Sequence, residues 1–248
     1  MIIDSDGIKR IERFSEKNFS NPQRKRRKQL KTKKDIFNKN PLRLFFGKIL
    51  VFLSFLIFSP FIKAKYRLKI ENRKALKKIK GKGAVVVMNH SNYSIDGPSL
   101  IFQSLPRRCW VTVPEVVATR KLSVIPFPQD LANMRVFKEV INERLELNQL
   151  VTFFPEVTPW EYYRSTRPFK SGAFRFAVQN NVPILPIAMC FRIINKKNGR
   201  KKYRATMHFF EPIYSNKELT ETKAIEELKN NTYVLIQERV EKEREKDV

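Results

Sequence analysis

The chain of 248 residues has two cysteines, two histidines and seven glycines, and half as many acidic side chains as basic ones, 24 against 50. Two cysteines, Cys109 and Cys190, cannot form a disulfide framework, and neither has a metal-ligand partner at a suitable spacing. The expectation is therefore a reducing, cytoplasmic setting with no metal site. The opening Met-Ile-Ile-Asp-Ser-Asp is not a secretory leader, and no internal repeat is found. No serine or cysteine stands in a nucleophile elbow, so no covalent enzyme intermediate is expected. Histidine chemistry must use His90 or His208. The shortage of acid leaves a formal charge of +26, which calls for an anionic partner: nucleic acid, an acidic membrane surface or a phosphate-bearing substrate.

An apolar fraction of 42% is enough for a packed core, and phenylalanine is frequent at 20 residues. The length fits one α/β domain plus an extension. Residues 1–40 carry 13 Lys/Arg against 5 Asp/Glu, and Arg24 to Lys34 holds eight basic residues in eleven. Such a block buries too little apolar surface to fold alone and is expected to be a flexible basic arm. It is a solvated tail, a contact for anionic lipid worth about 1 kcal/mol per basic residue near the surface, or a nucleic-acid arm. The aromatic residues lie in apolar runs rather than interleaved with Lys/Arg, and no recognition motif occurs, so no nucleic acid is expected as partner.

Residues 41–64 form the most hydrophobic stretch. Its clean part, Ile49 to Ile62, would reach about 21 Å as a helix, short of the roughly 30 Å hydrocarbon core. Pro60 disfavours helix at Ser59 and predicts an end there. Basic residues crowd both flanks, which suits both ends facing the cytoplasm. The expectation is an anchor on the cytoplasmic face of the cell membrane, monotopic or re-entrant, with a single span as the alternative.

From 65 to 215 the pattern is α/β. Strands are predicted at Ala84 to Met88, Arg108 to Val116, Leu150 to Phe154, Val182 to Ile193 and Lys202 to Ile213, with a polar turn at Asn195 to Gly199. Helices are predicted from Asp96-Gly97-Pro98 through Ser104, from Leu131 to Leu147 with Met134, Phe137, Val140, Ile141 and Leu145 on one face, and from Ser171 to Asn180. An amphipathic helix aligning Ile225, Leu228, Thr232, Leu235 and Ile236 occupies the tail, 216–248. The fold class is α/β: a mostly parallel or mixed sheet flanked by helices.

Two clusters bear chemistry. Asn89-His90 ends the first buried strand, at the rim where α/β sheets bind ligands, and Asp96 follows after five intervening residues. A histidine there suits a general base, and a carboxylate on its Nδ1 would fix the tautomer. Asp96 is equally a natural N-cap. Sixty residues later Phe154-Pro155-Glu156-Val157-Thr158 leads through Arg164 and Arg167 to Phe169-Lys170-Ser171-Gly172 at a helix start. Guanidinium, ammonium and helix amides together favour a phosphate, and Trp160, Tyr162 and Tyr163 border the same loop.

The order Asn-His-(five residues)-Asp, Phe-Pro-Glu-x-Thr, Phe-Lys-x-Gly-Ala and Val182-Pro-Ile-Leu-Pro-Ile187 resembles the glycerolipid acyltransferase family, the lysophosphatidic acid (1-acylglycerol-3-phosphate) acyltransferases, over roughly residues 65–215. The resemblance implies acyl transfer, in phospholipid biosynthesis, from acyl-CoA or acyl-carrier protein, a substrate rather than a cofactor, to the hydroxyl of a lysophospholipid. By resemblance His90 is the base and Asp96 its orienting partner, Glu156 and Thr158 fall on the acceptor-binding Pro-Glu-Gly-Thr positions, and Lys170 on the Phe-Lys-x-Gly lysine. Phe210-Glu-Pro-Ile213 matches a closing strand motif, which puts His208 on a structural strand. Three departures stand out. The family has four residues between His and Asp; Val157 replaces its glycine and Pro159 its arginine; and no arginine lies at Ile125 to Gln129, where its Asp-Arg phosphate motif belongs. Arg164, Arg167 or Arg120 is the expected substitute. The oxyanion donors are expected among backbone amides of the His90 turn or the helix start after Asp96. An inactive membrane-surface scaffold is the competing expectation, from the longer spacer and the missing arginines.

Overall fold

In a computed structural model, the described residues are 2–3, 9–10, 41–114, 123–128, 131–195 and 201–247. Apart from Ile2–Ile3, which pairs antiparallel with Lys9–Arg10, the basic arm lies outside them. So do Arg120, Gln129 and residues 196–199 of the predicted turn.

The elements are α1 (Pro41–Tyr66), β1 (Lys69–Glu71), α2 (Ala75–Lys78), β2 (Ala84–Met88), α3 (Asp96–Ser104), β3 (Cys109–Pro114), β4 (Val124–Phe127), α4 (Leu131–Glu146), β5 (Leu150–Phe153), α5 (Gly172–Gln179), β6 (Ile184–Asn195), β7 (Lys201–Phe209) and α6 (Glu221–Arg244). The sheet order is β1-β7-β6-β2-β5-β3-β4. Five strands, β6-β2-β5-β3-β4, run parallel; β7 is antiparallel to β6, and β1 follows β7 in parallel. The mixed sheet flanked by helices is the predicted class.

β2 lies inside the sheet and all five of its residues are buried. Val85 and Val87 face a cluster with Phe137, Ile141, Phe174 and Ile236 from α4, α5 and α6. Ala84, Val86 and Met88 face the other side, with Tyr66, Ile79, Ile95 and Leu100. Apolar cover on both faces is why the strand reads as an unbroken apolar run. Gly83 precedes it where α4 passes closest: a Cβ there would stand 2.2 Å from the Leu145 carbonyl oxygen.

Three local expectations change. α1 does not stop before Pro60 but continues to Tyr66. The lost hydrogen bond and the ring clash are offset by burial of Ile62 and Tyr66 in the core beyond the proline. Residues 124–127 form strand β4 on the sheet edge, although no periodic signal marks them. The last predicted strand ends at Phe209, and Ile213 returns as an isolated antiparallel bridge to Ile184.

α1 is apolar on all sides. Val51, Ser59, Ile62 and Tyr66 are buried, whereas Phe46, Leu53, Leu56, Ile57, Phe58 and Phe61 are exposed, Ile57 at 68%. By length and composition, Phe45–Tyr66 is long and apolar enough to cross a membrane.

Candidate active site

The loops after β2 and β5 leave the same end of adjacent parallel strands, and this brings the two sequence clusters together. Asn89 continues the β2–β6 ladder with its side chain: its Nδ2 donates to the Met189 carbonyl at 2.9 Å and its Oδ1 accepts the Met189 N–H at 2.8 Å. The chain then turns. The Asn92 carbonyl accepts the N–H of Ile95 at 3.3 Å and of Asp96 at 2.9 Å, a helical turn that precedes α3. This turn accommodates the fifth residue of the spacer. Asp96 Oδ2 lies 2.8 Å from His90 Nδ1 and accepts the N–H groups of Ser91 at 2.9 Å and Asn92 at 2.8 Å. The carboxylate is fully buried. It is the first residue of α3, and it binds the loop before the helix rather than capping the helix.

An acceptor-only carboxylate on Nδ1 requires Nδ1 to donate. The neutral ring then carries its lone pair on Nε2, the arrangement a general base needs. The imidazole is 12% exposed. Phe154 stacks on it, centroids 4.0 Å apart and planes 19° apart, and Tyr93 meets it edge-on at 6.5 Å.

The second loop folds over the first. Backbone N–H groups of Trp160 and Tyr162 donate to the carbonyls of His90 (3.3 Å) and Ser91 (3.1 Å), and Ser91 Oγ donates to the Tyr163 carbonyl at 3.3 Å. Glu156 joins the two loops. It accepts the His90 N–H at 3.2 Å, the Arg167 N–H at 3.0 Å and the Arg167 guanidinium at 3.1 Å. Burial raises its pKa, while the charge and N–H of Arg167 and the N–H of His90 act in the opposite direction. Arg167 also donates to the Thr158 carbonyl and stacks over Trp160 at 4.5 Å. Tyr162 stacks on Tyr203, centroids 4.1 Å apart.

His90 and Asp96 touch, and Glu156, Thr158 and Arg167 converge on the same turn. Glu156 and Thr158 are buried, and the Thr158 hydroxyl has no hydrogen-bond partner among the described residues. Arg164 is buried and pairs with Asp247. Lys170 is exposed at the end of the loop, its N–H on the Pro155 carbonyl at 3.0 Å. The amides of residues 90, 91 and 92 are directed at Glu156 and Asp96, so of the two expected sources of oxyanion donors the helix start after Asp96 is the one these bonds leave open. Sequence reasoning missed Asn89 as a ladder extension, and the clamp by Trp160 and Tyr162 acts through backbone groups that no side-chain pattern reports. His208 is remote, on β7, 3.1 Å from Glu71. Among the described residues no group of three or more His, Cys, Asp or Glu has metal-ligand geometry.

The His90–Asp96 pair thus sits at the C-terminal rim of a mixed sheet, under a loop that carries Arg164, Arg167 and Lys170. The profile of the acyltransferase family matches residues 67–190, half of the chain, and the chain belongs to the acyltransferase family. Among solved structures it is similar to the 1-acyl-sn-glycerophosphate (LPA) acyltransferase PlsC of Thermotoga maritima, at 16% identity and a TM-score of 0.45, over 78% of this chain and 96% of that one. Comparison with curated protein sequences gives no match.

Proposed function

We propose that the protein is a membrane-associated O-acyltransferase that moves a fatty acyl group from acyl-CoA or acyl-carrier protein to the hydroxyl of a lysophospholipid, 1-acylglycerol-3-phosphate being the reference acceptor. The observation that carries this reading is the 2.8 Å contact between His90 and Asp96. His90 Nε2 takes the acceptor proton as the hydroxyl oxygen attacks the thioester carbonyl. The tetrahedral adduct collapses with expulsion of the donor thiolate, which takes up the proton from the imidazolium. Asp96 holds the ring and stabilises the imidazolium between these steps. The direct contact across the five-residue spacer favours this reading over an inactive scaffold.

On the acceptor side, Lys170 is the exposed cation of the loop, while Arg164 and Arg167 are each engaged by a carboxylate. We assign acceptor contact to Lys170, with Arg167 and Thr158 at the loop's inner end. Glu156 is the buried tie that holds Arg167 and the His90 turn together.

α1 supplies the membrane contact. A Cβ on Gly47 would lie 3.3 Å from Arg108, Phe55 meets Phe102 at 5.6 Å, and Tyr66 is buried in the core. The helix is therefore laid against the domain from residue 47 to 66, about 28 Å at 1.5 Å per residue. A helix packed this way cannot cross the bilayer without drawing the domain in, so the arrangement supports an in-plane anchor on anionic lipid. A cavity of about 640 Å³ between α1 and α3 is lined by Val51, Phe52, Phe55, Ile101 and Phe102 together with Lys63, Arg73, Arg107 and Arg108, and none of the residues around His90 lines it. The test is acyl transfer by the purified protein in detergent with acyl-CoA and lysophosphatidic acid, followed by thiol release and mass spectrometry of the diacyl product. Stoichiometric thiol and product are expected; thiol release without product from any lysolipid acceptor would contradict the assignment.

A further inference from the structure

The end of α6 reaches the active-site loop. Its last turns are pinned to the sheet by charge. Buried Glu243 accepts from Arg239 at 2.9 Å, Lys246 at 3.1 Å and Thr206 at 3.3 Å, and Arg239 also bridges to Glu71 at 2.8 Å. Just beyond the helix, Asp247 Oδ1 accepts the Ile193 N–H of β6 at 2.7 Å, and Oδ2 pairs with the Arg164 guanidinium. Arg164 belongs to the loop that follows Phe154. Its neighbour Tyr163 gives its carbonyl to Ser91 Oγ in the histidine turn. Residues 163 and 164 are thus held by the catalytic turn on one side and by Asp247 on the other.

We propose that Asp247 is a positioning residue for the acceptor loop, setting the loop's outer half through Arg164 as Glu156 sets its inner half through Arg167. The inference rests on the acyl-transfer reading for its kinetic consequence, not for the clamp itself. Removing the carboxylate from a buried guanidinium leaves its charge less compensated, and the loop loses its tie to the end of α6. The Arg164 charge is committed to the fold. The acceptor is then recognised by a loop whose shape is set 83 residues away in sequence.

Amide hydrogen exchange of the full chain in detergent tests the clamp without reference to activity, comparing wild type, Asp247→Asn, Asp247→Glu and the exchange of partners Arg164→Asp/Asp247→Arg. The expected result is exchange roughly tenfold faster in residues 160–169 of Asp247→Asn, with residues 224–240 unchanged and the loop at least partly restored in the other two. Kinetically, Asp247→Asn raises the acceptor KM by about tenfold and leaves the donor KM unchanged. Wild-type loop exchange in Asp247→Asn overturns the proposal. So does equal acceleration of the loop and α6, which reveals general loosening. A protein that exchanges as expected yet transfers no acyl group refutes the functional reading and leaves the clamp standing.

Discussion

The ring of Phe154 lies nearly parallel to that of His90, with centroids 4.0 Å apart. Phe154 follows the last residue of β5 and His90 lies two residues beyond β2, so the stack joins two loops at the proposed base. Asp96 fixes the ring from its Nδ1 edge and Phe154 from its face. Aromatic pairs of this kind contribute about 0.5–1.5 kcal/mol beyond burial. Phe154→Leu is therefore expected to lower kcat by up to about tenfold with a small change in Tm, measured by steady-state kinetics beside thermal unfolding. An unchanged kcat would mean that the stack does not position the base.

Val157 is exposed and adopts φ +69°, in the left-handed region, where a β-branched residue is strained by roughly 1–2 kcal/mol. Glycine relieves the strain but costs about 0.5–1 kcal/mol of chain entropy. Val157→Gly is expected to raise stability by up to about 1 kcal/mol by denaturant titration. A clear loss of stability would count against this backbone conformation.

Glu71 carries a sign-determined pH dependence. Burial opposes its charge, but hydrogen bonds from Lys69, Arg239 and His208 outweigh that and hold its pKa at about 2. The native state therefore releases this proton more readily than the unfolded chain, and the resulting stability is fully present above the ordinary carboxylate range. It is lost as pH falls toward 2. Glu71→Gln is expected to be less stable than wild type near neutrality, with the gap closing between about pH 4.5 and pH 2. A gap constant across that window would contradict the assignment.

Much of this arrangement was legible in the sequence. The unbroken run Ala84 to Met88 announced a strand covered on both faces, and the 3.6-residue spacing of Phe137, Val140, Ile141 and Leu145 announced α4. Edge strand β4 was not legible because Val124–Phe127 contains Pro126 and shows no alternation. The continuation of α1 through Pro60 is decided by the tertiary burial of Ile62 and Tyr66, which local propensity does not report. At the site, spacing brought forward His90 and Asp96 but not whether they touch. That depends on the turn from Asn92 to Asp96, held by backbone hydrogen bonds. The loop arginines read as phosphate ligands because their carboxylate partners are distant or inward: Asp247 is 83 residues from Arg164, and Glu156 resembled a binding residue.

Exposed Ile57 and Phe58 on α1 are expected to insert into lipid. Apolar side chains of this size contribute about 1.5–3 kcal/mol each when buried. Ile57→Glu/Phe58→Glu should lower partitioning onto anionic vesicles by at least about tenfold in a flotation assay. High salt alone should not release the wild-type protein. Release by salt would show adhesion by charge without insertion.

The most direct test of the central claim is turnover of His90→Ala beside wild type, with acyl-CoA and lysophosphatidic acid at saturation and Tm measured on the same samples. Loss of the base is expected to cost roughly 10²–10⁴ in kcat with little change in Tm. Wild-type turnover in a folded His90→Ala protein would contradict the account.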